Sequence, residues 1–205
     1  AGGDISEYPG FRFDAAALRD FHENDVWGGL NAMLACDVPI VASISGACMG
    51  AGVEIASCCD VRVAGAAARF GAPIAKLGFP MAPREAQLVA AAVGETAARQ
   101  MLLEAATFTA ADMLARGFLS RVVPDDDVPA EALGSARRIA ALAPGAARMN
   151  KQVLRALKTP PALDGKALAA IEMIVNGPHD PYAYADSAEH REGITAFLAK
   201  RPPVF

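Results

Sequence analysis

The chain has little with which to hold a metal, enter a membrane or follow a nucleic-acid backbone. Its three histidines, His22, His179 and His190, lie far apart in sequence, which gives no ligand spacing for zinc. The four cysteines, Cys36, Cys48, Cys58 and Cys59, contain no C-x-x-C pair. Adjacent Cys58 and Cys59 would bridge only with strain, so all four read as free thiols in a reducing cytoplasm. No basic run or basic-aromatic interleaving occurs, aromatics are 6% of residues and the net charge is -4, all of which argue against nucleic-acid binding. The longest uncharged stretch, Val38 to Val53, is broken by Pro39 and three glycines. It is too short and too interrupted to cross a bilayer. The opening "AGGDISEYPG" lacks a basic-then-apolar order, so no secretory signal is expected there.

What the chain does have is alanine and small-residue turns. At 205 residues with 53% hydrophobic content, it suits one globular domain with a helical appendage. Asp14 is a candidate N-cap for a helix whose apolar face carries Leu18, Phe21, Leu30 and Leu34, with Trp27 nearby. "DVPIVASIS" reads as a buried strand, "GACMG" as a turn, "AGVEIASCC" as a short helix and "DVRVAG" as the next strand. That order marks an α/β unit. "PREAQLVAAAVG" is a helix opened by Pro83 and stopped by Gly94, and "ETAARQMLLEA" is another. "TAADMLARG" is capped by Thr109 with Asp112 three residues on and ends at Gly117. After the strand "LSRVVP" the pattern is helical only. The expected division is therefore a sheet-containing part, residues 1–124, and a helical part, residues 125–205.

The glycine-rich stretch before Glu54 raises the question of chemistry. Gly46, Gly50 and Gly52 match neither a dinucleotide fingerprint nor a P-loop, and Ser45 lacks the glycine two residues earlier that a nucleophile elbow needs. The remaining readings are a plain structural turn or an oxyanion hole. In the latter, backbone N–H groups at a helix start face a developing negative charge.

Four blocks bear on this choice: "AGGDI" at Ala1–Ile5, "PIVASISGACMGAGVEIASCCDVRVAG" at Pro39–Gly65, "ARFGAPIAKLGFP" at Ala68–Pro80 and "EHREGITAFLAKRPPVF" at Glu189–Phe205. In this order and at this spacing they resemble the enoyl-CoA hydratase/isomerase (crotonase) family, over nearly the whole chain. The resemblance implies an α/β fold, a crotonase-like ββα spiral followed by a C-terminal helical trimerisation region. It implies an acyl-CoA thioester substrate, with coenzyme A entering as part of that substrate and no separate cofactor or metal. It also implies a homotrimer or dimer of trimers; apolar Ile171, Ile174 and Val175 in the helical part suit a partner surface. A cytoplasmic location is expected, with no nucleic-acid or membrane partner. The oxyanion hole would use the amides of Gly3 and Ala51, the latter replacing the glycine usual in the family. Gly3, Asp4, Ile5 and Ser6 would lie along CoA, with Lys200 near its phosphates.

Glu54 matches the first of the family's two hydratase carboxylates. The second place, in "FGAPI", is Ile74. Hydration needs one group to activate water and another to protonate the α-carbon, so weak hydration that depends on Glu54 is expected. Isomerisation, decarboxylation, thioester hydrolysis or acyl-CoA binding without efficient chemistry remain alternatives. Ile74, Ala82 and Glu85 would border the acyl pocket. Glu85 is either a second acid or a glutamate favoured by a helix start. The family places several strands ahead of the "AGGDI" block, so an N-terminal segment is expected to be missing from this sequence.

Overall fold

The computed structural model describes residues 2–157 and 187–205. Ile171, Ile174 and Val175 lie outside the described residues. The chain divides into two compact units, residues 1–36 with 40–135 and residues 37–39 with 136–205.

The first unit begins with a 3-10 turn, Ile5–Gly10. Helix α1 (Ala15–Asp20) starts as anticipated, with Asp14 Oδ1 accepting from the Ala17 amide at 2.7 Å. It runs through one wide π turn, Phe21–Val26, into α2 (Trp27–Ala35). Strand β1 (Val41–Ile44) follows, then β2 (Ala47–Met49), α3 (Ala51–Cys58), β3 (Val61–Gly65) and β4 (Arg69–Gly71). A 3-10 turn at Pro73–Leu77 leads to α4 (Pro83–Val93), α5 (Glu95–Leu103), β5 (Thr107–Thr109), α6 (Ala110–Ala115) and β6 (Arg121–Val123). Helix α7 (Val128–Ala140) closes the unit and carries the chain into the second.

The strands form two three-stranded sheets. In one, β1, β3 and β6 are parallel, with Val41 opposite Val61 and Val63 opposite Arg121. In the other, β2 pairs parallel with β4, which pairs antiparallel with β5. The first two passes, β1-β2-α3 and β3-β4-α4, each lay one short strand in each sheet and then a helix, which is a spiral of β-β-α turns, and the third runs β5, α6, β6. The segment "GACMG", expected as a turn, contains β2. Its middle residues are held by the neighbouring strand at Cys48 opposite Phe70, and three residues are too few to show a period of two.

The signals at the ends of the helices act as expected. Pro83 is the first residue of α4, and Gly94 ends it at φ 85°. Thr109 and Asp112 cap α6 reciprocally, at 3.1 Å from the Asp112 amide to Thr109 Oγ1 and 2.9 Å from the Thr109 amide to Asp112 Oδ2. The core joins Val53 of α3, Phe70 of β4, Val89 of α4, Met101 of α5, Met113 of α6 and Phe118, each essentially inaccessible. Phe70 and Phe118 meet edge to face with centroids 5.9 Å apart, the arrangement ring quadrupoles favour. The half-buried Arg62 guanidinium donates to the carbonyls of Ala56, Cys59 and Phe118, so the charge sits where the C-terminus of α3 favours a cation.

The second unit contains α8 (Pro144–Leu157) and α9 (Ala188–Leu198). Asp37 accepts from Gln152 at 2.8 Å and Arg155 at 2.6 Å, fastening residues 37–39 to α8. Glu192 binds Arg201 through two contacts of 2.7 and 2.9 Å and accepts from the Val204 amide at 2.8 Å, which folds the C-terminal tail onto α9. Those donors, Arg201 first, hold the Glu192 carboxyl down at about 2.

Candidate active site

The site lies in the first unit, where β2 gives way to α3. Gly50 adopts φ 51° and ψ -115°, a backbone state that side chains resist. Its amide donates to the Gly71 carbonyl at 2.9 Å, and its own carbonyl receives the amides of Val53 and Glu54 at 2.8 and 3.2 Å. The chain therefore turns sharply, and Ala51 becomes the first residue of α3. An amide at that position has no carbonyl four residues earlier to bond.

This helix start opens on a cavity of about 220 Å³. Gly3, Met49, Gly50, Ala51 and Glu54 line it, as do Ile74, Leu77, Phe79, Met81, Ala82 and Glu85. Tyr8, Arg12, Phe21 and His22 complete it. The "AGGDI" segment passes close to β2, since a Cβ added at Gly2 would come within 2.6 Å of the Met49 carbonyl oxygen and 3.8 Å of the Ala51 nitrogen. Gly3 and Ala51, far apart in sequence, thus both line this cavity.

Glu54 stands in the first turn of α3, where the helix dipole favours its charge by about 0.3–1 kcal/mol. Burial opposes this and prevails. Desolvation, with a smaller contribution from the charge on Glu85, raises the carboxyl from 4.5 to about 7. That rise corresponds to roughly 3 kcal/mol against the ionised form, several times the dipole effect. Near neutral pH Glu54 is therefore divided between acid and base, the state that suits a proton shuttle.

Ile74, on the turn Pro73–Leu77, presents an apolar side chain where the family pattern has a second carboxylate. Ile5 reaches the cavity, whereas Asp4 and Ser6 are exposed and bonded to each other. Ser6 donates through its amide at 3.0 Å and its hydroxyl at 2.6 Å, which holds the Asp4 carboxyl below its usual range. Lys200 belongs to the second unit, exposed just past the end of α9 at φ 52°. Sequence reasoning missed His22, Tyr8, Arg12 and Phe79. His22 could have been found, because it lies four residues after Leu18 on the helix and beside Phe21, which was assigned to the inward face. The Arg12 guanidinium carbon lies 4.3 Å from the Tyr8 ring centroid and 3.8 Å from that of Phe79, and the two rings themselves meet edge to face. Among the described residues no group of three or more His, Cys, Asp or Glu is arranged to hold a metal ion. No described helix is long and apolar enough to cross a membrane.

The fold is shared with solved structures. The crystal structure of an enoyl-CoA hydratase/carnithine racemase from Magnetospirillum magneticum superimposes with a TM-score of 0.85 at 33% identity, covering 100% of this chain and 72% of that one. Human enoyl coenzyme A hydratase domain-containing protein 3 gives 0.78 at 27% identity, over 100% and 77%. In sequence, the 2,3-dehydroadipyl-CoA hydratase of Escherichia coli is 33% identical over 205 residues, covering 100% of this chain and 75% of that protein. The protein named "Probable enoyl-CoA hydratase" in Mycobacterium tuberculosis is 34% identical over 206 residues, with the same coverage. These likenesses make this a protein of the crotonase fold. Residues 1–205 match the enoyl-CoA hydratase/isomerase family, and the chain belongs to that family of enzymes.

Proposed function

We infer that this chain acts on an acyl-CoA thioester by stabilising its enolate, with Glu54 transferring the proton at the acyl chain. The observation that carries this reading is a carboxyl raised to about 7 beside a helix start, in a largely apolar cavity. The amides of Gly3 and Ala51 receive the thioester oxygen as negative charge develops on it, each donor being worth roughly 3 kcal/mol to the transition state. Replacing glycine by Ala51 keeps a backbone donor and narrows the pocket. A cavity of about 220 Å³ suits the acyl end of the substrate rather than the whole of CoA. The CoA moiety runs along Gly3, Asp4, Ile5 and Ser6, and no separate cofactor takes part.

Family membership supports hydration of an enoyl-CoA or migration of its double bond. Ile74 favours a second reading, in which this site isomerises, decarboxylates or hydrolyses a thioester, or binds acyl-CoA with little turnover. The helical unit is proposed to assemble as a trimer or dimer of trimers in the cytoplasm. Exposed Leu154, Leu157, Ile194 and Leu198 on α8 and α9 support a partner surface.

A panel of enoyl-, 3-hydroxyacyl- and malonyl-type CoA esters, followed by mass spectrometry beside calorimetric binding, tests the reading. Turnover of at least one member is expected. Binding of CoA esters without turnover of any would leave a binding protein, and binding of none would remove the acyl-CoA assignment.

A further inference from the structure

Glu85 is 3% exposed and lines the cavity from the first turn of α4. A carboxylate that deeply buried needs partners. Its Oε1 lies 3.4 Å from His22 Nδ1, a long contact across 63 positions of sequence. His22 itself is 22% exposed and sits in the π turn Phe21–Val26. The contact does not stand alone. Next to it, Glu23 and Arg84 form an ion pair at 2.8 Å, and the Arg84 guanidinium lies 5.6 Å from the centre of the Trp27 ring. Two consecutive residues of the π turn thus meet two consecutive residues of α4. This double contact fixes Glu85 with one oxygen engaged by the imidazole. Helices α3 and α4 pack together, and the charge of Glu85 is felt at Glu54.

We propose that Glu85, positioned by His22, is the second proton-transfer group of this site, and that it supplies from α4 the chemistry Ile74 cannot. The proposal rests on the enolate reading above. A helix-start glutamate favoured only by the dipole would sit in solvent, whereas this one is buried in a cavity that also holds Glu54. Hydration of a 2-enoyl thioester then divides between the two carboxyl groups. Glu85 takes a proton from water as the water oxygen bonds to the β-carbon. The double-bond electrons move to the thioester oxygen, forming the enolate. Glu54 then gives its proton to the α-carbon as the carbonyl re-forms. Glu85 ends protonated and Glu54 ionised, and proton exchange with solvent restores both. Two carboxyl groups of which one carries the proton divide acid and base work in this way.

The test compares the wild type, Glu85→Gln and His22→Gln for hydration of crotonyl-CoA, with melting temperature and butyryl-CoA binding measured on each. Loss of one acid/base group predicts a fall in kcat of about 10²–10⁴ for Glu85→Gln, with KM and binding within about threefold. His22→Gln, which removes the imidazole contact to Glu85, should lower kcat less and again spare KM. Formate added to Glu85→Ala should restore part of the lost rate, which a purely structural role would not allow. If Glu85→Gln does not fold, Glu85→Asp replaces it, and a tenfold or larger fall in kcat in that folded variant supports the proposal. A kcat within threefold of wild type in whichever variant folds overturns it while leaving the enolate reading intact. A wild type that turns over no CoA ester in the panel refutes the enolate reading, and this proposal with it.

Discussion

Replacing Glu54 by glutamine should make the protein more stable and less active, with the gain in stability set by pH. In the folded chain the carboxyl titrates at about 7, against 4.5 when unperturbed. Between those values the folded state binds more protons than the unfolded state, so stability falls as pH rises. The contribution of the protonated acid is fully present below 4.5 and is lost as pH passes through about 7. At about 1.4 kcal/mol for each tenfold, the whole loss is at most roughly 3 kcal/mol. Glutamine carries no charge and lacks this slope. Glu54→Gln should therefore exceed the wild type by up to about 3 kcal/mol at pH 8 and by under about 1 kcal/mol at pH 5. For a chain of this length that is up to about 6–12 °C in melting temperature at the higher pH. Urea unfolding at both pH values, followed by circular dichroism, reads the difference directly. A stability gap that is the same at pH 5 and pH 8, or a variant less stable than wild type at pH 8, would refute the claim that burial raises this carboxyl.

Other residues give independent checks. Gly2→Ala places a Cβ within 2.6 Å of the Met49 carbonyl oxygen; turnover of any accepted acyl-CoA should drop at least about tenfold with little change in melting temperature, because the strain falls on the wall that carries Gly3 and Ala51. Phe118→Ala removes an inaccessible ring packed on Phe70 and should cost about 3–5 kcal/mol in urea unfolding. Burial pushes the Cys48 thiol up to about 11, so a thiol reagent at pH 8 should label half-buried Cys36 well before Cys48 in the native protein, and the two should react alike after unfolding. Ile74→Glu should raise hydration of a short 2-enoyl-CoA, read as loss of enoyl absorbance, as the pH rises through the range where the new carboxyl ionises.

Much of this architecture was legible because it is written locally. Asp14, Pro83, Gly94, and the pair Thr109 and Asp112 each act within one helical turn, and all stand at helix ends in the structure. Strands β1 and β3 carry enough branched residues to be recognised. Strands β2, β4 and β5 have three residues each, and their strand character comes from partners distant in sequence. The site divides in the same way. Glu54 and Ala51 belong to one motif, and their nearness to Gly3 followed from family resemblance. The contact between His22 and Glu85 depends on how α4 packs against the π turn, which no periodicity reports. The raised pKa of Glu54 is likewise a property of burial. The identity of residue 74 suggested a site with one acid, and the fold brings a second buried carboxylate to the same cavity.

The central claim is that Glu54 moves a proton at the carbon next to a thioester held at Gly3 and Ala51. Incubation of butyryl-CoA with the wild-type enzyme and with Glu54→Gln in D2O at pH 7, followed by mass spectrometry of the recovered ester, tests it without assuming the natural reaction. Deuterium should enter the α-position with the wild type and be reduced at least about a hundredfold with the variant, while calorimetry shows both proteins binding the ester alike. Equal exchange by the two proteins, or bound ester that never exchanges with the wild type, would contradict the account.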